Sequence, residues 1–166
     1  MLEMAVFKSI IDELQKDLLY LTFYFQGEPY LHKSFLDMVR YARSKGIYTS
    51  TSTNAHYLDE KTAVATIKSG LDRLIISIDG TTQDTYKQYR IGGQLHKVIA
   101  GAKNIIMQKK LLQSMTPHVI LQFLVVKPNE HQIPELMQLA QDIGVDEVIL
   151  KTAQVYDYKH GNPLIP

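Results

Sequence analysis

Cysteine is absent from all 166 residues. That excludes disulfides, thiolate metal sites and a cysteine nucleophile within these residues. A surplus of one charge is also missing. The formal net charge of +1 gives no electrostatic reason to expect nucleic acid or an anionic membrane as a partner. No uninterrupted apolar run approaches the roughly 20 residues that a membrane-spanning helix needs. The opening MLEMAVFKSIIDEL carries Glu3, Lys8, Asp12 and Glu13 and reads as an amphipathic helix rather than a secretory signal. The expected compartment is therefore the cytosol. There is no Gly-x-Gly-x-x-Gly or Walker pattern, and Gly92-Gly93 alone is a weak phosphate cradle. The six histidines are scattered, with no His-Glu-x-x-His and no close pair, so no metal site is expected.

What is present is an ordinary globular composition, 45% apolar and 21% charged, in a length that fits one domain. Helical periodicity covers residues 3–17, with Met4, Phe7, Ile10, Ile11 and Leu14 on one stripe. A buried strand is expected over Leu18–Phe25, ended by the turn Gln26-Gly27-Glu28-Pro29. A helix follows from about Lys33 to Ser44 and closes at Gly46. The Thr/Ser-rich strand 47–53 ends at Asn54, and Asp59 is placed to N-cap a short helix to Ile67. Strand 71–78, a helical turn over 82–89 and a long helix over 94–110 come next. Strand 118–126, helix 133–143 and strand 145–152 complete the series, and the tail from Tyr156 to Pro166 reads as irregular. Strand and helix alternate, with glycine repeatedly closing a helix before the next strand. The expected fold class is therefore α/β, a parallel sheet with right-handed crossovers. Five strands are too few for a complete eight-stranded barrel, which leaves an open sheet or an incomplete barrel.

The strand ends carry the chemistry. In LDRLIISIDG, Leu74-Ile75-Ile76 gives way to Ser77, Asp79 and Gly80 at the carboxyl end of the strand, the side where parallel α/β folds bind ligands. Gly27 has no Cβ, so other groups can approach its backbone closely. Arg90 carries a planar guanidinium after the helical turn. Ser77 is a small donor and acceptor, and Asn54 a further polar group at a strand end. Each has a structural alternative. Gly27-Glu28-Pro29 could be only a turn, Ser77 and Asp79 could cap the following segment, and Arg90 could be an ordinary ion pair. Lys127 and Lys151 near strand ends would suit a Schiff-base lyase, though no partner residue supports them.

Four segments in order resemble the radical S-adenosylmethionine (SAM) superfamily, in particular its SPASM-type branch. Phe25-Gln26-Gly27-Glu28-Pro29 is similar to the GGEP motif, and Ser52-Thr53-Asn54-Ala55 to the TNG segment. Ser77-Ile78-Asp79-Gly80 resembles S-[IL]-D-G, and Tyr89-Arg90-Ile91-Gly92-Gly93 resembles R-x-G-G. The likeness covers about residues 5–155 and implies part of an incomplete TIM-type barrel. It also implies SAM as cofactor, contacted by Gly27, Glu28, Pro29, Asn54, Ser77, Asp79 and Arg90. In the family a four-iron, four-sulfur (4Fe-4S) cluster on a C-x3-C-x2-C loop cleaves SAM reductively to a 5′-deoxyadenosyl radical. With no cysteine, this chain cannot bind that cluster, and the resemblance implies a catalytically incompetent core fragment. It would lack the first strand and the cluster loop, with residues 1–155 as partial barrel and 156–166 as tail. Two alternatives stand beside it: a cysteine-free, non-catalytic scaffold that binds a peptide or nucleotide, and the Schiff-base lyase. The substrate, small molecule or peptide, is not legible. Loss of a first strand would expose the edge of Leu18–Phe25, so a homodimer across that edge or through the open barrel face is expected.

Overall fold

The structure, a computed structural model, describes residues 2–154 and 159–165. Five strands form one sheet: β1 (Tyr20–Thr22), β2 (Tyr48–Thr53), β3 (Arg73–Ser77), β4 (His118–Val125) and β5 (Glu147–Thr152). Their spatial order, β1-β2-β3-β4-β5, follows the chain, and every neighbouring pair is parallel. The order never reverses, so right-handed crossovers put all the helices on one face. Alternation along the strands agrees. Leu74 and Ile76 of β3 and Val119, Leu121 and Phe123 of β4 join the main core with residues of the helices. Ile75, Ser77, Ile120 and Gln122 point to the opposite, helix-free face.

The helices are α1 (Met4–Leu14), α2 (Phe35–Ser44), α3 (Glu60–Lys68), α4 (Gln83–Tyr89), α5 (Leu95–Leu111) and α6 (Ile133–Ile143). Their ends obey local chemistry. Asp59 accepts from the Thr62 N–H at 2.7 Å and caps α3, as its position in the sequence predicts. Thr82, not Asp79, caps α4. Gly144 closes α6 in the left-handed region at φ 82°, where a Cβ would be strained. Val39, Ala63, Val98, Ala102 and Ile105 are among the helical residues of the core and are at most 1% exposed. Gly101 has a steric reason: a Cβ there would lie 2.4 Å from the Ala55 carbonyl oxygen, so α5 and the turn after β2 could not pack as they do.

Two expectations change. The buried strand over Leu18–Phe25 is a three-residue edge strand, with Leu19 82% and Phe25 94% exposed. β1 pairs only with β2, so it has no second neighbour to cover those side chains. The stripe of α1 is also narrower than its periodicity predicts: Phe7 and Ile11 are buried, whereas Ile10 and Leu14 are exposed. Phe7 meets Phe23 at a tilt and Phe23 meets Phe35 edge-on, so an aromatic chain rather than a wide leucine face joins α1 to the sheet. Residues 155–158 of the expected core boundary and tail lie outside the described residues. Beyond them, the Leu164 carbonyl accepts from the Lys127 N–H at 2.9 Å. No described helix is long and apolar enough to cross a membrane.

Candidate functional site

The segments that leave β1, β2 and β3 converge at the carboxyl end of the sheet, and Glu28 is their junction. Its Oε1 accepts from the Thr53 hydroxyl at 2.7 Å and from the Tyr30 N–H at 3.3 Å. Its Oε2 accepts from the Asn54 N–H at 2.8 Å. The carboxylate is thus engaged in tying the Gly27-Glu28-Pro29 turn to the end of β2. The following turn is held by His56. Its Nε2 accepts from the Gln94 N–H at 3.0 Å, which leaves Nδ1 as the protonated nitrogen, 2.9 Å from the Asn54 carbonyl. One ring therefore links the Asn54 turn to the start of α5.

Asp79 and Arg90 form the second support. Asp79 is 1% exposed, and its Oδ1 accepts from the Leu124 N–H at 2.9 Å. Arg90 Nε donates to Asp79 Oδ2 at 2.5 Å. The ion pair satisfies a carboxylate that burial would otherwise destabilise. It also spends only one edge of the guanidinium: neither terminal nitrogen of Arg90 has a hydrogen-bond partner among the described residues. Behind the pair, Asn129 Nδ2 donates to the carbonyls of Asp79 (3.0 Å) and Leu124 (2.8 Å). Tyr86, 1% exposed, packs so closely that a Cβ on Gly80 would lie 2.6 Å from its backbone nitrogen and one on Gly93 2.7 Å from its ring. Burial raises the Tyr86 hydroxyl above its ordinary pKa.

Between these supports lies a cavity of about 390 Å³ whose walls include Gly27, Glu28, Asn54, Ser77 and Arg90. Five of the seven residues singled out in the sequence thus meet in one space. Pro29 starts the 3-10 turn Pro29–Leu31 and lines an adjoining apolar groove, and Asp79 sits behind Arg90. Gly27 adopts φ 85° with no heavy atom within 4 Å of where a Cβ would stand. The turn therefore needs glycine and leaves its backbone open to a ligand. Ser77 Oγ is 3.5 Å from Ser52 Oγ, a long contact that leaves it available to the cavity.

The donor set suits a ligand with an ammonium and a carboxylate on one carbon: two free guanidinium nitrogens and a hydroxyl for the acid, an open glycine turn for the amine. It does not suit an iron–sulfur cluster. The chain has no cysteine, and no group of three His, Asp or Glu residues among those described could hold a metal. Lys127 and Lys151 are exposed, and neither lines the cavity. The sequence reading missed Asn129 and Gly101. Asn129 reads in the sequence only as a strand breaker after Pro128, because the partner that ties it to the site, the Asp79 carbonyl, is 50 residues away.

Comparison with known proteins bears on the family and the fold. The chain is 27% identical over 154 residues to the tungsten-containing aldehyde ferredoxin oxidoreductase cofactor-modifying protein of Pyrococcus furiosus, covering 87% of this chain and 41% of the relative. It is 29% identical over 146 residues to the PqqA peptide cyclase of Gluconobacter oxydans, covering 84% of this chain and 38% of the relative. The chain thus spans about two fifths of the length of these curated relatives. The solved structure of native anSMEcpe with bound AdoMet superposes with a TM-score of 0.77 over 99% of this chain and 47% of that one, at 14% identity. The sheet is accordingly five strands of a partial TIM-type barrel. Residues 2–140 match the radical SAM superfamily, and the chain belongs to that family.

Proposed function

We propose that the cavity between Gly27, Ser77 and Arg90 binds the methionyl end of SAM. The observation that carries the reading is the half-spent guanidinium. Asp79 fixes Arg90 through Nε, so the two terminal nitrogens are held at the cavity with no acceptor among the described residues. They pair with the α-carboxylate, assisted by Ser77 Oγ. The open carbonyls around Gly27 accept from the α-ammonium, and the Asn54 side chain meets the ribose. Glu28, Asp79 and His56 act behind these contacts as positioning residues.

A protein that contains this unit acts, on this reading, as a radical SAM enzyme of the peptide- or cofactor-modifying kind. The two curated relatives, named for modifying a cofactor and cyclising a peptide, support that class. The cluster would supply the electron that cleaves SAM, and its thiolates must come from outside these 166 residues, which contain none. Taken alone, the chain binds SAM without cleaving it.

Isothermal titration of SAM into the protein tests the reading. Charge-assisted hydrogen bonds contribute about 1.5–3 kcal/mol, so Arg90→Lys should weaken binding by roughly 10- to 100-fold. Ser77→Ala should weaken it about five-fold. SAM binding that is the same in wild type and both variants would overturn the assignment.

A further inference from the structure

Strand alternation and register define a polar stripe across the helix-free face of the sheet. Ser77 on β3 is the register partner of Gln122 on β4, and Leu124, two residues on, is the partner of Lys151 on β5. Residues two apart on a strand share a face, and so do register partners. Ser77, Gln122 and Lys151 therefore share one face, and Ser52 of β2 joins them through its 3.5 Å approach to Ser77. Beneath the stripe, Ile75 and Ile120 form a buried apolar floor, 5% and 0% exposed.

The two ends of this stripe differ in what they hold. On the β2–β3 side the carboxylates are engaged, Glu28 by three hydrogen bonds and Asp79 by Leu124 and Arg90, and the open groups, Ser77 and the Arg90 terminal nitrogens, belong to the SAM cavity. On the β4–β5 side, the half-buried Gln122 amide and the Lys151 ammonium have no hydrogen bond or ion pair among the described residues. The other acid on that face, Glu147, is engaged by His118 Nε2 at 2.9 Å, at the far end of β5. The polar atoms of the Gln122 side chain reach solvent, so its donor and its acceptor are open to a ligand.

We propose that Gln122 and Lys151 form a peptide-binding subsite beside the SAM cavity, selective for a segment that bears a carboxylate. The proposal rests on the SAM assignment above and names the substrate chemistry of that same site. A primary amide offers a donor and an acceptor, the complement of a backbone peptide group, and an ammonium pairs with an acid. Strands lie about 4.8 Å apart and rise about 3.3 Å per residue, which puts the two side chains roughly 8 Å from one another. Two residues of an extended peptide span about 7 Å. The geometry fits a peptide whose acidic side chain lies two residues from the backbone group held by Gln122. Ser77 lies one strand spacing from Gln122 on the side opposite Lys151, so the peptide residue just beyond the group held by Gln122, away from the acidic side chain, is the one that faces the SAM cavity.

The test uses three N-acetylated, C-amidated pentapeptides, Gly-Gly-Glu-Gly-Gly and its Gln and Lys counterparts. Each is titrated into the whole chain at saturating SAM, with NMR shifts as the readout. The glutamate peptide should bind about five-fold more tightly than the glutamine peptide, and the lysine peptide more weakly still. Lys151→Gln should abolish that ranking while leaving the glutamine peptide unchanged. Gln122→Ala should weaken all three alike, about five-fold. SAM affinity, measured in parallel, should not change in either variant. Equal affinities for the three peptides, or a ranking that survives Lys151→Gln, overturns the subsite. Failure of the wild-type chain to bind SAM overturns the cavity assignment instead, whatever the peptides do.

Discussion

Gly80→Ala probes the link between backbone packing and the site. Gly80 follows β3, and its backbone does not lie in the left-handed region, so alanine meets no dihedral strain there. The obstacle is contact. A Cβ would stand 2.6 Å from the Tyr86 nitrogen and 2.8 Å from its Cα, both backbone atoms that no rotamer change can move. Ordinary carbon contacts begin near 3.5 Å, so α4 must withdraw by about 1 Å. Arg90 follows α4 directly, its N–H donating to the Tyr86 carbonyl at 2.9 Å, and it is carried along. Its 2.5 Å contact with Asp79 would stretch beyond hydrogen-bonding range. Overpacking of this kind costs about 1–3 kcal/mol, and restricting the unfolded chain returns about 0.4–1 kcal/mol. The expected net loss is about 1–2 kcal/mol. At about 2–4 °C per kcal/mol for a chain of this size, calorimetry should record a Tm lower by roughly 2–8 °C. SAM affinity should fall about ten-fold, because the fork that Asp79 aims is released. A Tm equal to or above that of the wild type, with SAM binding unchanged, would refute both the packing argument and the coupling to Arg90.

Two other perturbations have opposite signs. The end of α5 is a Schellman turn, in which the Ser114 N–H donates to the Lys109 carbonyl at 2.9 Å and the Gln113 N–H to Lys110 at 3.1 Å. The left-handed position holds exposed Gln113 at φ 51° instead of glycine. Gln113→Gly should relieve about 1–2 kcal/mol of backbone strain against about 0.5–1 kcal/mol of added chain entropy, raising the denaturation midpoint slightly. A lower midpoint would show that the side chain contributes more than the strain costs. Acid should act through Asp146, whose pKa lies below the ordinary 3.8. Burial raises that pKa, but hydrogen bonds from Lys109 and the Val119 N–H outweigh it. A depressed carboxylate contributes stability above its unfolded pKa, lost as pH falls through the folded one. Thermal melts taken below about pH 4 should therefore show a shallower acid loss in Asp146→Asn than in the wild type.

Much of the fold and the site was written locally. Alternation of helix and strand periods, and glycines such as Gly144 at helix ends, sufficed for the α/β class, because those signals depend on neighbours in sequence. Gly27, Ser77 and Arg90 were identifiable because glycine at a strand end and a polar break after an apolar strand are local signatures. Only the tertiary structure decided what each does. Glu28 became a junction because Thr53 and Asn54 arrive from another strand. Asp79 was expected as a cap or ligand contact and is the buried counter-charge that aims Arg90, since β4 supplies its second partner. The strand over Leu18–Phe25 carried a core composition, yet its exposure was set by having a neighbour on one side only. Gln122 gave no signal in the sequence, because its place beside Ser77 depends on register between strands separated by α4 and α5. Residue type and spacing fix which groups leave the sheet at a strand end. Which groups meet, and which remain unpaired, depends on pairings between distant segments that no local pattern encodes.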